Sequence, residues 1–175
     1  MDDICLIERL VNGEMCYFDT LVTLYHKRIY DFIYRMVHNV STAEDITQDV
    51  FIKVYQNIHK LNSNSSLKPW IFKIAYTTTL NYLKKNKNIA IDIETEEIAW
   101  NKDYIDAFET RHVVLKEIQS LKSDCKAIFL LRVMEDLTFE QIGIMLGAST
   151  AAVKLKFYRN RKILIDRLSQ SFREV

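Results

Sequence analysis

Apolar residues recur at three- and four-residue steps over most of this chain, the period of amphipathic helices rather than the two-residue alternation of strands. Ile4, Ile7, Leu10 and Val11 mark a short first helix that stops at Asn12-Gly13. Phe18, Leu21, Val22, Tyr25, Ile29, Phe32, Ile33 and Met36 predict a long second one. A third opens on a capping box, Ser41 with Glu44, and buries Ile46, Val50, Val54 and Ile58. The polar run from Asn62 to Ser66 reads as a loop, and Pro69 suits the first turn of a fourth helix reaching about Lys85. Periodicity then fades, and helices resume near Ala107 and continue to Leu168. The pattern predicts an all-α protein with two helical domains, 1–86 and 107–175, joined by a linker over 87–106. Trp100, inside that linker, is expected to pack on a neighbouring surface.

The C-terminal part carries the most specific local signal. Thr138 and Gln141 form a capping box for a short helix, Gly147 supplies a turn residue tolerant of positive φ, and Ser149 caps a second helix. From Ser149 to Ile163 there are five cations (Lys154, Lys156, Arg159, Arg161, Lys162) and no carboxylate. A cationic helix following a tight turn is the arrangement that enters a DNA major groove. The domain is therefore read as a helix-turn-helix.

Composition narrows the classes. Hydrophobic residues make up 49% of the chain, enough for packed cores, while three glycines and one proline disfavour turn-rich sandwiches and phosphate-cradling loops. The net charge of +1 conceals segregation. Residues 1–50 hold nine carboxylates against four cations; residues 68–87 hold five lysines and no carboxylate; residues 89–110 hold seven carboxylates against Lys102. Two basic patches separated by an acidic linker suggest two separate contacts with a polyanion.

Other chemistry is not indicated. Cys5, Cys16 and Cys125 are odd in number and far apart, as expected of reduced thiols in a cytoplasm. Together with His26, His38, His59 and His112 they show no metal-ligand spacing, and no nucleophile–base grouping stands out, so neither enzyme, metal nor cofactor is expected. No secretory signal is visible at the N-terminus, and no run approaches the roughly 20 apolar residues of a membrane span. Membrane insertion is not expected.

Three motifs, in this order, resemble the bacterial extracytoplasmic-function (ECF) group of RNA polymerase sigma factors. The first is Ala43-Glu-Asp-Ile-Thr-Gln-Asp-Val-Phe-Ile-Lys-Val-Tyr55; the second runs from Lys68-Pro-Trp-Ile-Phe-Lys-Ile-Ala through Tyr76 to Lys85; the third is the helix-turn-helix. The resemblance implies a factor that binds core RNA polymerase, directs it to promoters with −35 and −10 elements, and promotes melting. It implies docking on the largest polymerase subunits through Asp45, Gln48 and Asp49. It also implies an anti-sigma protein as a partner. The family usually has Arg-Asn where Tyr76-Thr77 stands here, and commonly Asp at Asn81. In the last helix Ala152 and Leu155 replace a usual Thr and Ser. These departures bear on which promoter is read, not on the fold.

Within that frame, the fourth helix places Ile71, Ile74, Ala75, Thr78 and Tyr82 on one face and Lys73, Tyr76, Thr77 and Lys84 on the other. The second set mixes cation, aromatic ring and hydroxyl, which suits separated DNA: cations hold phosphate and rings stack on bases. By resemblance, the loop from Asn62 to Lys68, with Asn64 and Ser65, forms one wall of a pocket for a flipped −10 base. Trp70 has two readings, core residue or neighbour of the melted strand. The expected −35 set is Ser149, Thr150, Ala151, Lys154, Leu155, Tyr158, Arg159, Arg161 and Lys162, with Arg132 as a phosphate contact before the turn. Val153, Phe157 and Leu164 face inward. Two further readings stay open at this point: a stand-alone helix-turn-helix regulator, and a helical protein that sequesters a partner.

Overall fold

The long second helix shows how the period becomes packing. A computed structural model of the chain describes residues 3–61, 66–86 and 117–171, all arranged in helices and short connections without a strand. They fall into two units, Met1–Asp92 and Ile93–Val175. In the first unit, α2 (Phe18–Val37) buries Leu21, Tyr25, Ile29, Phe32, Ile33, Met36 and Val37 along one side. α3 (Val40–Asn57) and α4 (Leu67–Lys85) pack on it, and α1 (Asp3–Val11) packs on α4, with single 3-10 turns at Met15–Tyr17 and Ile58–Lys60. Leu6, Ile7, Leu10, Val50, Val54, Ile71, Phe72 and Ala75 complete this core, and each large apolar side chain contributes about 1.5–3 kcal/mol of burial. Phe32 and Phe72 meet edge to face, with centroids 5.7 Å apart, and so join α2 to α4.

The start of α3 differs from the expected capping box. After Val37 the chain turns through His38 in the left-handed region, φ 55°, which leaves Asn39 extended. Asn39 Oδ1 then accepts the Thr42 N–H at 2.8 Å and caps the helix. Ser41 already lies inside α3, so the Ser41/Glu44 box does not form. An Asn caps as well as a Ser, and the turn delivers it first.

The second unit contains α5 (Ser123–Val133), α6 (Phe139–Leu146) and α7 (Thr150–Ser171). A helical turn at residues 117–119 precedes them. Ile118, Ile128, Leu130, Leu131, Leu137, Ile142, Met145, Val153 and Leu164 form its core. Phe157 stacks on Phe129 at 5.5 Å and meets Phe139 at 5.2 Å, which ties α7 to the elements before it. Arg167 near the end of α7 donates to Ser120 Oγ at 2.6 Å. The expected linker, with Trp100, lies outside the described residues.

Candidate nucleic-acid interface

The turn between α6 and α7 is built from backbone and short side chains. Thr138 Oγ1 accepts the Gln141 N–H at 3.1 Å, and Gln141 Oε1 accepts the Thr138 N–H at 2.8 Å, the reciprocal box the sequence predicts. Gly147 takes φ 64° and donates its N–H to the Gly143 carbonyl, which also accepts the Ala148 N–H at 2.9 Å. A Cβ on Gly143 would lie 2.7 Å from the Ala148 carbonyl oxygen. Gly143 is thus needed for close approach, a role the sequence reading missed; a glycine inside a helical pattern was the available signal. Ser149 Oγ accepts the Ala152 N–H at 3.2 Å and caps α7, as expected.

This turn presents α7 with a largely free outer side. Ser149, Ala151, Lys154, Arg159, Arg161 and Lys162 are exposed, and Thr150 is half-buried at the helix start. Leu155 and Tyr158, 63% and 56% exposed, are large apolar groups held among these cations. Val153 and Leu164 are buried and Phe157 half-buried, matching the inward set. Lys156 leans sideways to Asp124 of α5 at 3.8 Å, a contact of exposed groups worth little. Arg132 donates from Nη1 to the Leu137 carbonyl at 3.2 Å, and its guanidinium carbon lies 5.2 Å from the Phe139 ring centroid. It braces the α5–α6 connection and retains further N–H donors.

On α4 the structure corrects one face. Tyr76 is only 6% exposed and cannot stack on a base from where it sits. The reason is that α4 packs against α1, α2 and α3 at once. Ile71, Phe72, Ala75, Tyr76, Thr78 and Thr79 are all buried, about half the helix circumference. Tyr82, placed inward by the same pattern, is 38% exposed and reaches past the packed turns, its hydroxyl 3.3 Å from that of Thr42. The remaining outer stripe holds Lys73, Thr77, Asn81 and Lys84, exposed, with Trp70 and Ile74 half-buried. Trp70 is therefore not a fully buried core residue: one part packs and another faces solvent. Thr77 donates its hydroxyl to the Lys73 carbonyl at 2.7 Å. Lys68 is half-buried at the helix start, whereas Asn62, Asn64 and Ser65 lie outside the described residues.

Asp45, Gln48 and Asp49 share the exposed outer side of α3. On the same side, a turn further along the helix, sits Ile52, 54% exposed, which the sequence reading passed over. Its spacing of seven from Asp45 was the signal. Tyr55, also exposed, is steadied by an edge-to-face contact with Phe18 at 5.1 Å. Carboxylates beside exposed apolar residues suit a protein partner rather than a phosphate backbone.

Both helical units match known family profiles. The family profile for Sigma-70 region 2 matches residues 21–89, and that for Sigma-70, region 4 matches residues 111–164. The chain belongs to the sigma-70 family, in its ECF group. It is 28% identical to the RNA polymerase sigma-H factor of Pseudomonas aeruginosa, over 97% of this chain and 95% of that protein. It is 27% identical to the ECF sigma factor SigW of Bacillus subtilis over 93% and 94%, and 25% identical to the ECF sigma-E factor of Escherichia coli over 99% and 97%. Among solved structures its fold is similar to CnrH in complex with the cytosolic domain of CnrY, with a TM-score of 0.74 at 15% identity, covering 96% of this chain and 97% of the other. It is likewise similar to RpoE of Bartonella quintana in complex with the anti-sigma factor NepR, with a TM-score of 0.73 at 19% identity, covering 87% and 96%. A sigma factor of this group directs RNA polymerase to promoters, and that is the function of this chain.

Proposed function

We propose that this sigma factor grips a promoter with two separate helical surfaces while a third holds the polymerase. α7 reads the −35 duplex: Lys154, Arg159, Arg161 and Lys162, with Arg132, hold phosphates, and Leu155 and Tyr158 meet base edges, a thymine methyl being the natural contact for Leu155. Ser149, Thr150 and Ala151 set the helix start against the groove. α4 takes the −10 strand, with Trp70 for stacking, Lys68, Lys73 and Lys84 for phosphates and Thr77 for hydrogen bonding. The loop residues Asn62, Asn64 and Ser65 receive a flipped base. Asp45, Gln48 and Asp49, with Ile52 and Tyr55, dock on the largest polymerase subunits. The domains are 1–86 and 107–175, with 87–106 as the linker.

The observation that carries this reading is the outer side of α7, where exposed cations and two exposed apolar side chains stand together with no carboxylate from Ser149 to Ile163. Energetics permit melting without nucleotide hydrolysis. Stacking a base on an aromatic ring returns about 1–3 kcal/mol, and unstacking it costs a few. No reaction is assigned to the chain: it recognises and positions, and the polymerase supplies the chemistry. No helix of the described residues is long and apolar enough to cross a membrane, and we place the protein in the cytoplasm beside its polymerase. An anti-sigma protein covering the DNA-binding faces is the regulator we infer, because the similar RpoE fold is held in a complex with the anti-sigma factor NepR.

The test is run-off transcription with core polymerase on a pool of genomic promoters, sequencing the transcript starts. Discrete starts preceded by paired −35 and −10 elements are expected. Folded protein that binds core yet yields no factor-dependent start anywhere in the pool overturns the reading.

A further inference from the structure

We propose that Lys53, carried on the polymerase-facing helix α3, is a phosphate contact for the melted strand lying on α4; this rests on the reading of α4 as the −10 surface. Lys53 is exposed on the edge of α3 nearest α4, and its ammonium donates to Thr78 Oγ1 at 3.1 Å. Ile74, four residues before Thr78, and Asn81, three after, fall on the same side of α4 as that hydroxyl. Both belong to the outer stripe. The ammonium therefore sits at the margin of the stripe that borders α3.

Lys73 and Lys84 occupy the opposite margin, at 100° per residue. The half-buried Trp70 and Ile74 and the exposed Thr77 and Asn81 form an uncharged floor between cationic edges. A single strand needs this layout, because its bases lie on aromatic and hydrogen-bonding groups while its phosphates pass along the sides. Without Lys53 the α3 side of the floor has no cation until Lys85, at the end of the helix. An ammonium has three donors, and Thr78 takes one. Among the described residues Lys53 forms no ion pair, and the nearest carboxylate on its own helix side is Asp49, one turn back toward the polymerase-facing surface. Two donors stay available for phosphate oxygens. Asn81 supplies both donor and acceptor where a carboxylate would repel the same backbone. The helix that docks polymerase thereby also touches DNA, so docking fixes one wall of the strand's path.

The experiment uses reconstituted holoenzyme at a promoter that the wild-type protein opens. Open-complex formation is followed against salt for Lys53→Gln, Lys53→Arg and Thr78→Val, with core affinity measured in parallel. Lys53→Gln is expected to reduce the salt slope by about 0.7 of a unit, the value for one phosphate on a single strand. Lys53→Arg restores the slope, Thr78→Val leaves it as in wild type, and core affinity does not change. An unaltered slope in Lys53→Gln overturns the proposal. So does a loss confined to core affinity, which makes Lys53 a polymerase contact, or a Thr78→Val variant that reproduces the defect, which makes the lysine structural. If the wild-type holoenzyme opens no promoter at all, the parent reading fails and this one with it; normal opening with a flat response at Lys53 sinks the lysine alone.

Discussion

α4 and α7 are both basic helices, yet they expose very different fractions of themselves. α4 is wedged among three helices and keeps only a narrow stripe for solvent, with its cations at the margins. α7 buries little beyond Val153 and Leu164 and leaves cations around most of its outer side. A duplex groove about 12 Å wide accepts a whole helix and meets it on several sides, so a free helix suits it. An unpaired strand meets a surface, and it needs that surface rigid because the floor must compensate for lost base stacking. In the proposed reading, similar charge thus serves two kinds of DNA, and the packing beneath it decides which.

The contrast between the two helices is tested most directly at Tyr76. Its burial makes it part of the scaffold, so Tyr76→Ala should destabilise the first unit by about 3 kcal/mol, read from thermal unfolding. Tyr76→Phe should leave open-complex formation close to wild type once the protein is folded; a promoter-opening defect in folded Tyr76→Phe would return that side chain to the DNA surface. Trp70 is the counterpart on the stripe. Trp70→Ala should cost promoter opening about 1–3 kcal/mol, visible as reduced permanganate reactivity of the −10 thymines, with −35 duplex binding unchanged.

On the C-terminal side, Lys126 offers a smaller and pH-dependent test. It is a buried lysine of α5, and burial pushes its ammonium below the ordinary value of 10.5. Between the folded value and 10.5 the unfolded chain binds more protons, so stability rises with pH across that window. Lys126→Met should therefore stabilise the second unit by about 1 kcal/mol near neutrality, and the gain should shrink as pH climbs toward 10.5. Chemical denaturation at several pH values measures it; a gain independent of pH contradicts the cause assigned. The smallest effect is expected at Arg159. Arg159→Ala should weaken duplex binding at every sequence alike and flatten the salt slope by about one unit in a filter-binding titration.

Helices, turn and faces were legible in the sequence where local chemistry decides them. Thr138, Gln141, Gly147 and Ser149 each act through a hydrogen bond or a φ angle spanning a few residues, and α7 has so few neighbours that its helical wheel alone sorts inside from outside. Two kinds of residue escaped. Asn39 displaced Ser41 as a cap because the end of α2 governs where α3 begins, and single-helix reasoning treats each start alone. Tyr76 went to the wrong face because a two-sided wheel assumes one packing partner and α4 has three. Lys53 was invisible for a related reason: its meaning comes from a neighbouring helix 25 positions along the chain.

Gly143 approaches the Ala148 carbonyl too closely to leave room for a side chain. Main-chain atoms and the Ser149 cap set the elbow before α7, and the outward cations further along the helix are not needed to maintain it. Lys154, Leu155 and Arg159 are consequently open to exchange without loss of posture. On the proposed −35 reading, a lineage can retune which genes this factor switches on by changing a handful of letters, while the hinge that aims them stays as it was.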